Sequence, residues 1–290
     1  MNGESIPRQS GTDLSSPGRA PKVDVLGVQV DPVTVPELHG TIDALIDAGS
    51  KARILHVNVS ALNLAYEQRW LRDTLNQAEL VFCDGAGAAL GGRILGHRIP
   101  ERITYADWMW QLACFAEERD HSFFFLGARR GVAEKAAAKL KARFPDLRIL
   151  GTHHGYFDKT PGNPENEAVI EQINAVNPDI LIVGFGMPLQ ERWLMENWDC
   201  IEAHVALTGG AVFDYVAGEL RRAPRWMTNH GLEWLGRLII EPRRLWKRYL
   251  IGNPLFVLRV LRRRMAQSRL GQFCETRSPL SPDPEKGSEK

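Results

Sequence analysis

Cysteine is scarce in this chain, and long apolar runs are missing from it. The four cysteines are widely spaced and form no C-x-x-C pair, so the sequence predicts neither a zinc knuckle nor a disulfide framework. No apolar stretch approaches the ~18–20 residues that span a bilayer. Residues 1–21 lack the apolar segment of a secretory signal. These absences indicate a cytosolic protein with reduced thiols.

Several familiar ligand-binding motifs are also absent. In the two loops that begin like G-x-G-x-x-G, the third glycine is replaced by Leu90 and by Leu189. No P-loop and no G-x-S-x-G occurs, and the chain has no Asp-x-Asp clamp for a metal and a sugar nucleotide. We therefore expect no metal and no cofactor. A Rossmann-like oxidoreductase that binds NAD(P) is an alternative, which the missing glycine disfavours.

Acidic residues are nearly absent from one stretch of the chain, although the chain as a whole has almost equal numbers of acidic and basic residues. The 290 residues contain 36 Lys and Arg against 35 Asp and Glu, a formal net charge of +1. Residues 221–270, however, contain 13 basic residues and only two acidic ones, Glu233 and Glu241, so the remaining 240 residues have 23 basic against 33 acidic. Such a split predicts that the basic stretch has a separate role.

Short apolar strands alternate with longer helical patterns over residues 23–207. The strands are predicted at residues 23–30, 54–57, 80–83, 122–126, 148–150, 180–183 and 205–207. The helices are predicted at residues 36–48, 60–78, 107–118, 132–144, 165–176 and 190–198. This order predicts an α/β fold, a Rossmann-like and mostly parallel sheet flanked by helices. Ligands of such sheets bind beyond the carboxyl ends of the strands.

Composition divides the chain into four segments. Residues 1–22 and 272–290 are polar and rich in Ser, Gly and Pro, which predicts a disordered leader and a disordered tail. Residues 23–218 form the predicted catalytic core. Residues 219–271, called the appendage below, interleave basic with apolar and aromatic residues, and Gly252-Asn253-Pro254 is expected to interrupt their helices.

The composition of the appendage is typical of helices that lie in a membrane interface. Trp and Tyr favour the headgroup level, and each basic residue near an anionic leaflet contributes roughly 1 kcal/mol. Nucleic-acid binding and an ordinary solvated basic face are the competing interpretations. Large apolar residues accompany the charge, so we expect an anionic membrane surface as a partner and no nucleic acid.

Four predicted strands end in glycine-containing loops. Because glycine lets the backbone approach a ligand, these loops favour a nucleotide or diphosphate site, although each single loop is equally explained by a turn. The candidate residues are Gly127, Gly184, Gly186, Gly209 and Gly210. Asp84 ends a buried strand and opens a fourth loop. Its carboxylate is either a general base or a helix N-cap, and position alone does not separate the two.

The motifs in these loops resemble the WecG/TagA/CpsF glycosyltransferases, which are glycosyltransferase family 26. The resemblance covers roughly residues 23–256. It rests on Asn58 with Ala78 and Asp84-Gly85-Ala86-Gly87, on Glu101-Arg102-Ile103-Thr104 with Asp107, on residues 184–191, and on Gly209-Gly210 followed by Phe213-Asp214, Arg222-Ala223-Pro224, Glu233-Trp234, Arg237, Glu241-Pro242, Arg244 and Arg248-Tyr249.

The resemblance implies an inverting, metal-independent transferase of bacterial cell-surface polysaccharide synthesis. The donor is a UDP-sugar, of the N-acetylmannosamine, N-acetylmannosamine uronic acid or glucose type. The acceptor is a hydroxyl of a polyprenyl-diphosphate-linked saccharide. The protein is expected at the cytoplasmic face of the inner membrane as a peripheral protein, and a homo-oligomer is left open. A non-catalytic membrane-surface adaptor is a further alternative.

The resemblance also assigns roles to individual residues. Asp84 falls on the position of the general base, and Asn58, Arg102 and Gln190 fall on polar substrate-pocket positions. Arg237, Arg244 and Arg248 of the appendage are expected to stabilise the UDP leaving group. His56 stands where the family usually has Thr, Tyr105 where Gly is common, and Leu189 where Lys is frequent. We expect these three residues to border the sugars.

Overall fold

The computed structural model of the protein describes residues 20–275 of the chain, without the side chains of Arg225, Asn229 and residues 269–275. Most of the predicted disordered leader and tail, residues 1–19 and 276–290, lies outside the described residues. The side chain of Cys274 does so too. The other three cysteines, Cys83, Cys114 and Cys200, are free.

A six-stranded sheet forms the centre of the molecule, with strand order β4-β3-β8-β7-β5-β6 and every pair parallel. Its strands are β3 (Ala52–Val57), β4 (Leu80–Cys83), β5 (Ser122–Gly127), β6 (Arg148–His153), β7 (Ile180–Gly184) and β8 (Val205–Thr208). The predicted first strand is an antiparallel hairpin of β1 (Val23–Val25) and β2 (Val28–Val30). The predicted α/β fold with a parallel sheet is confirmed.

Helices cover both faces of the sheet and bury its central strands, as parallel sheets require. They are α1 (Val35–Asp47), α2 (Val59–Glu67), α3 (Arg69–Asn76), α4 (Ala86–Ile94), α5 (Tyr105–Glu118), α6 (Val132–Arg143), α7 (Pro164–Asn174), α8 (Leu189–Asn197) and α9 (Val212–Ala217). A 3₁₀ turn at Trp198–Cys200 follows α8.

One helical prediction in the core was wrong, and one core helix was not predicted. The single helix predicted at 60–78 is divided into α2 and α3 by Gln68, whose backbone is extended. The apolar spacing continues across this break, so periodicity does not reveal it. Helix α4 was not predicted, because its glycine-rich sequence has low helix propensity. Close packing requires that glycine: a Cβ on Gly91 would lie 2.5 Å from Cζ of Phe256.

The appendage is helical, and the predicted interruption at Gly252-Asn253-Pro254 was wrong. Its helices are α10 (Arg225–Asn229), α11 (Glu233–Ile240), α12 (Pro242–Trp246), a π-helical turn (Lys247–Ile251) and α13 (Gly252–Glu275). Helical backbone continues from α12 through the π-helical turn into α13. That turn ends at Ile251, three residues before Pro254, and changes the hydrogen-bond register where a proline would otherwise clash with an α-helix. Helix α13 extends past residue 271, the predicted boundary.

Helix α13 packs against the core through both apolar and charged contacts. Phe256 and Val260 are 3% and 0% exposed and join the same apolar cluster as β3 and β4. Arg259 donates to Glu67 of α2 at 2.5 Å. These contacts hold the appendage over the carboxyl ends of β3 and β4. No helix within residues 20–275 is long and apolar enough to cross a membrane.

Candidate active site

A cavity of about 860 Å³ lies between the carboxyl ends of the strands and the appendage. Its walls come from the loops after β3, β4, β7 and β8, from α4 and α5, and from the appendage. Most predicted site residues border it: His56, Asn58, Asp84, Arg102, Gly186, Gly209, Gly210, Arg237, Arg244 and Arg248. The fold therefore brings together side chains that are up to 192 positions apart in the sequence.

Asp84 is held at the cavity wall by the backbone on both sides of it. Its N–H donates to the carbonyl of Val57 at 2.8 Å, which extends the pairing of β3 and β4. Gly85 follows with φ +105°, a conformation that favours glycine. Gly85 occupies the N-cap position of α4, so the interpretation of Asp84 as an N-cap was wrong. Within residues 20–275, no group hydrogen-bonds the Asp84 carboxylate.

The environment of Asp84 brings the pKa of its carboxyl group close to neutral pH. Burial raises the pKa of Asp84 to about 7, and the nearby Glu233 carboxylate acts in the same direction. Arg248, Arg237 and Arg102 oppose this shift through their positive charge. A carboxylate with a pKa near the working pH is well matched to accept a proton from a substrate hydroxyl.

Arg248 of the appendage reaches into the core at the start of α2. Its Nη2 donates to Oδ1 of Asn58 at 3.3 Å. The same oxygen caps α2, accepting from the backbone N–H groups of Ser60 and Ala61 at 3.0 and 3.2 Å. The buried Nε of Arg248 has no partner within the described residues. Arg248 therefore keeps hydrogen-bonding capacity beside the cavity.

The three other arginines of the predicted site also border the cavity, as does Arg93 of α4. Nη2 of Arg237 lies 3.7 Å from Oε2 of Glu241, and Cζ of Arg237 lies 5.6 Å from the ring centre of Tyr215. Arg244 also pairs with Glu241, at 2.8 Å, and is 70% exposed. Arg102 donates from both Nη atoms to the carbonyl of Thr228 at 3.4 Å. This concentration of guanidinium groups suits a phosphate-bearing ligand.

His56 is neutral and almost completely enclosed. Burial lowers the pKa of His56 to about 4, and the charge of Arg248 acts in the same direction. Its Nδ1 lies 2.9 Å from Oγ1 of Thr208. Its ring packs edge-on against Tyr105 with 5.1 Å between ring centres. His56 therefore contributes shape and hydrogen bonding to the cavity, and no positive charge.

Gln190 does not border the cavity and instead joins two of the glycine loops. Its Oε1 accepts from the N–H groups of Gly186 and Gly210 at 3.1 and 3.0 Å. Its Nε2 donates to Oε1 of the buried Glu191 at 2.8 Å. These two glycine N–H groups are already engaged, so Gln190 sets the shape of the loops that border the cavity. Its predicted contact with substrate stays a prediction.

Gly127 and Gly184 also lie outside the cavity wall. A Cβ on Gly127 would overlap the carbonyl of Gly184, and the two residues are paired in the sheet. Close approach of the β5 and β7 ends therefore explains the glycine at position 127. The predicted contact of both glycines with a diphosphate stays a prediction.

Several cavity residues were not among the predicted site residues. Glu233, Trp234 and Tyr249 border the cavity and lie within the motif that carries the resemblance, so that motif was the available signal. Tyr215 of α9 carried no such signal. Part of the wall is apolar, formed by Leu90, Ile94, Ile99, Phe256, Val257 and Val260. The described residues contain no group of three His, Cys, Asp or Glu side chains that could hold a metal ion.

Known proteins match this chain over most of its length. A sequence model described as "Glycosyl transferase WecG/TagA/CpsF family" matches residues 23–270. An N-acetylglucosaminyldiphosphoundecaprenol N-acetyl-beta-D-mannosaminyltransferase from Bacillus subtilis (strain 168) is 30% identical over 217 residues, 75% of this chain and 82% of the relative. The protein of the same name from Staphylococcus aureus (strain MRSA252) is 29% identical over 241 residues, 82% of this chain and 92% of the relative.

Proposed function

Since the chain belongs to the WecG/TagA/CpsF glycosyltransferase family, we propose that it transfers a sugar from a UDP-sugar to a hydroxyl of a polyprenyl-diphosphate-linked saccharide in cell-surface polysaccharide synthesis. The donor sugar is of the N-acetylmannosamine, N-acetylmannosamine uronic acid or glucose type. The observation that carries the proposal is the position of Asp84, at the wall of a large cavity among several arginines. The names of the two relatives support the substrate class.

Transfer by this site proceeds with inversion in a single displacement. Asp84 accepts the proton of the acceptor hydroxyl while the hydroxyl oxygen bonds to the anomeric carbon of the donor sugar. The bond between that carbon and the diphosphate oxygen breaks, and UDP leaves with the electron pair from the opposite face. One carboxylate is enough for this reaction, because no covalent sugar–enzyme bond forms.

The arginines stabilise the negative charge that develops on the departing UDP. Arg248, Arg237 and Arg102 surround Asp84 closely enough to affect its pKa, and the first two come from the appendage. Fixed cations in a partly enclosed site act strongly on charge that appears in the transition state. Asp-x-Asp is absent from the chain, so this arginine set takes the place of a metal in the proposed mechanism.

The appendage also holds the protein on the membrane surface at the cytoplasmic face, where the lipid-linked acceptor is used. Apolar side chains that are more than half exposed cluster in it, together with exposed basic residues. Trp226, Ile239, Leu250 and Ile251 are 62%, 68%, 56% and 54% exposed. Apolar groups and cations together bind an anionic membrane interface.

A donor panel tests the proposal directly. The protein is incubated with UDP-sugars and a synthetic lipid-diphosphate saccharide, and the product mass identifies the sugar that is added. We expect transfer that persists in EDTA, with an inverted anomeric configuration by NMR. Failure to transfer from every UDP-sugar contradicts the proposal. A rise in melting temperature with NAD(P), and none with UDP, would favour the oxidoreductase alternative instead.

A further inference from the structure

One part of the cavity, called the apolar wall below, has no role in the reaction proposed above. It is formed by α4, α13 and the segment after α4, with the side chains of Leu90, Ile94, Ile99, Phe256, Val257 and Val260. Phe256 and Val260 are 3% and 0% exposed, whereas Leu90 and Val257 are 49% and 39% exposed. The apolar wall therefore has a buried base and a rim that is open to solvent.

Apolar side chains continue from the cavity along α13. Val257, Leu261 and Met265 are spaced four residues apart, so they lie on one face of the helix. Leu261 and Met265 are 45% and 56% exposed. At 1.5 Å per residue, the three side chains extend over about 12 Å of α13. This row gives an extended apolar ligand a path from the cavity to the surface of the appendage.

The side chains of the apolar wall contain no hydrogen-bonding group. A nucleotide or a saccharide carries many polar groups, and burying these against hydrocarbon without partners is costly. UDP and the sugars are better served by the part of the cavity where Asp84, Arg237 and Arg248 lie. The apolar wall therefore suits a hydrocarbon ligand.

A cation lies beside the apolar wall on the same helix. Arg93 of α4 borders the cavity, three residues after Leu90 and directly before Ile94. It is exposed and forms no ion pair with the side chains that the structure describes. A guanidinium group next to hydrocarbon side chains matches a molecule in which a diphosphate is joined directly to an apolar chain.

We propose that the apolar wall binds the first isoprene units of the acceptor's polyprenyl chain, and that Arg93 binds the adjoining diphosphate. The inference rests on the proposed function and adds a lipid subsite to it. Because the prenyl chain is covalently attached to the diphosphate, a saccharide that reaches Asp84 brings the first part of this chain to the cavity. Contact with the apolar wall keeps that hydrocarbon out of water.

Soluble acceptors of different tail length test the subsite without a membrane. Each carries the same saccharide on a diphosphate, which is joined to one isoprene unit (dimethylallyl) or to three (farnesyl), and the assay contains no vesicles or detergent. Affinity rises with the apolar area that is buried. We therefore expect a KM for the farnesyl acceptor at least about tenfold lower than for the dimethylallyl acceptor. Equal KM values overturn the inference and leave the proposed function standing.

The variant Leu90→Ser/Val257→Ser makes the rim of the apolar wall polar. Both side chains are partly exposed, so we expect the variant to fold and the ratio of the two KM values to fall to about threefold or less. Leu150→Ser, on an exposed residue of β6 that does not border the cavity, is the matched control and keeps the ratio. If the double variant fails to fold, Leu90→Ser alone makes the same test. A folded variant that keeps the wild-type ratio contradicts the subsite.

The variant Leu250→Ser/Ile251→Ser separates the subsite from membrane docking. These two residues are exposed and do not border the cavity. The variant therefore keeps the ratio of the two KM values in the soluble assay, although it binds vesicles more weakly. An equal loss of the ratio in both double variants would show unspecific association of the tail with the appendage, and would overturn the inference.

The variant Arg93→Gln tests the contact with the diphosphate. We expect KM for both acceptors to rise about tenfold, since a charge-assisted hydrogen bond is lost. The ratio of the two KM values and the Kd for UDP, measured by calorimetry, stay at their wild-type values. Weaker UDP binding with unchanged acceptor KM would overturn the assignment of Arg93. Absence of transfer to every acceptor by the wild type overturns the proposed function and the inference with it.

Discussion

The core and the appendage differ in charge, and both contribute residues to the wall of the cavity. The appendage stretch 221–270 has 13 basic and two acidic residues, and the rest of the chain has 23 basic and 33 acidic. The core contributes Asp84, and the appendage contributes Arg237 and Arg248 beside it. Opposite charges therefore meet where we propose that a proton is accepted and a diphosphate departs. The overall balance of +1 conceals this division.

The basic residues of the appendage fall into three groups by position. Some pair with acidic residues of the core: Arg222 with Asp107, Arg259 with Glu67 and Arg263 with Asp24. Others border the cavity: Arg237, Arg244 and Arg248. The third group is exposed and includes Arg243, Lys247 and Arg262. These basic residues are chemically alike, and their position in the fold distinguishes them. The first group attaches the appendage to the core, the second borders the candidate site, and the third lies on the exposed surface.

The largest expected effect comes from the core side of the comparison. Asp84→Asn removes the proposed base while keeping the shape of the side chain. General-base catalysis contributes about 10²–10⁴-fold, so we expect transfer to fall by about 10³-fold. UDP binding, measured by calorimetry, persists, and the melting temperature does not fall. Asp73→Asn, an exposed carboxylate of α3, is the control. Wild-type transfer by Asp84→Asn contradicts the assignment.

The next effect tests the appendage side. Arg248→Ala removes a cation that reaches Asn58 in the cavity wall, so kcat falls by about 10²-fold. Lys247→Ala removes the adjacent but exposed cation and leaves kcat nearly unchanged in a detergent assay. Equal losses in the two variants would show that the charge of the appendage acts as a whole, and that the position of Arg248 is unimportant.

A smaller effect concerns the exposed apolar residues of the appendage. Leu250→Ser/Ile251→Ser removes two side chains that are more than half exposed. We expect about tenfold or more weaker binding to vesicles that contain anionic lipid, since burying such side chains contributes about 1.5–3 kcal/mol each when complete. Vesicle sedimentation measures the change. Val176→Ser, on the core, is the control. Equal vesicle binding by both variants contradicts the proposal that the appendage binds the membrane surface.

The smallest effect concerns the one acidic residue that the appendage places near Asp84. Catalysis needs ionised Asp84, so kcat/KM falls as the pH drops below about 7, the pKa of Asp84. Glu233→Gln removes a negative charge that raises this pKa. The acid limb of the pH profile therefore shifts to lower pH, by up to about one unit. Glu219→Gln, on an exposed carboxylate, leaves the profile unchanged. A shift to higher pH would contradict the proposed arrangement.

The succession of strands and helices and the chemistry of the loops were predictable because they depend on local pattern. Alternating strands and helices predicted the parallel sheet, and the end of β4 predicted where Asp84 would lie. The sequence did not reveal the break at Gln68 or the existence of α4, since contacts from distant segments decide both. Helix α4 depends on the close packing of Gly91 with Phe256, 165 positions away.

The candidate site likewise has features that the sequence predicted and features that only contacts between distant segments decide. The motif identified Gln190 as a pocket residue, but its amide is engaged by the loops of Gly186 and Gly210. Hydrogen bonding of this kind depends on the relative position of β7 and β8. The sequence singled out His56 and Tyr105 separately, and only the structure showed that they are in contact.

The sequence by itself determined the family, the fold class, the separation of charge and the residue types available for the chemistry. These features follow from composition, periodicity and short motifs, each of which is local in the chain. The tertiary structure decided which arginines border the cavity, what surrounds Asp84 and how burial and Glu233 raise its pKa. The reason is physical: desolvation and charge interaction depend on distance in space, and the chain order does not contain those distances.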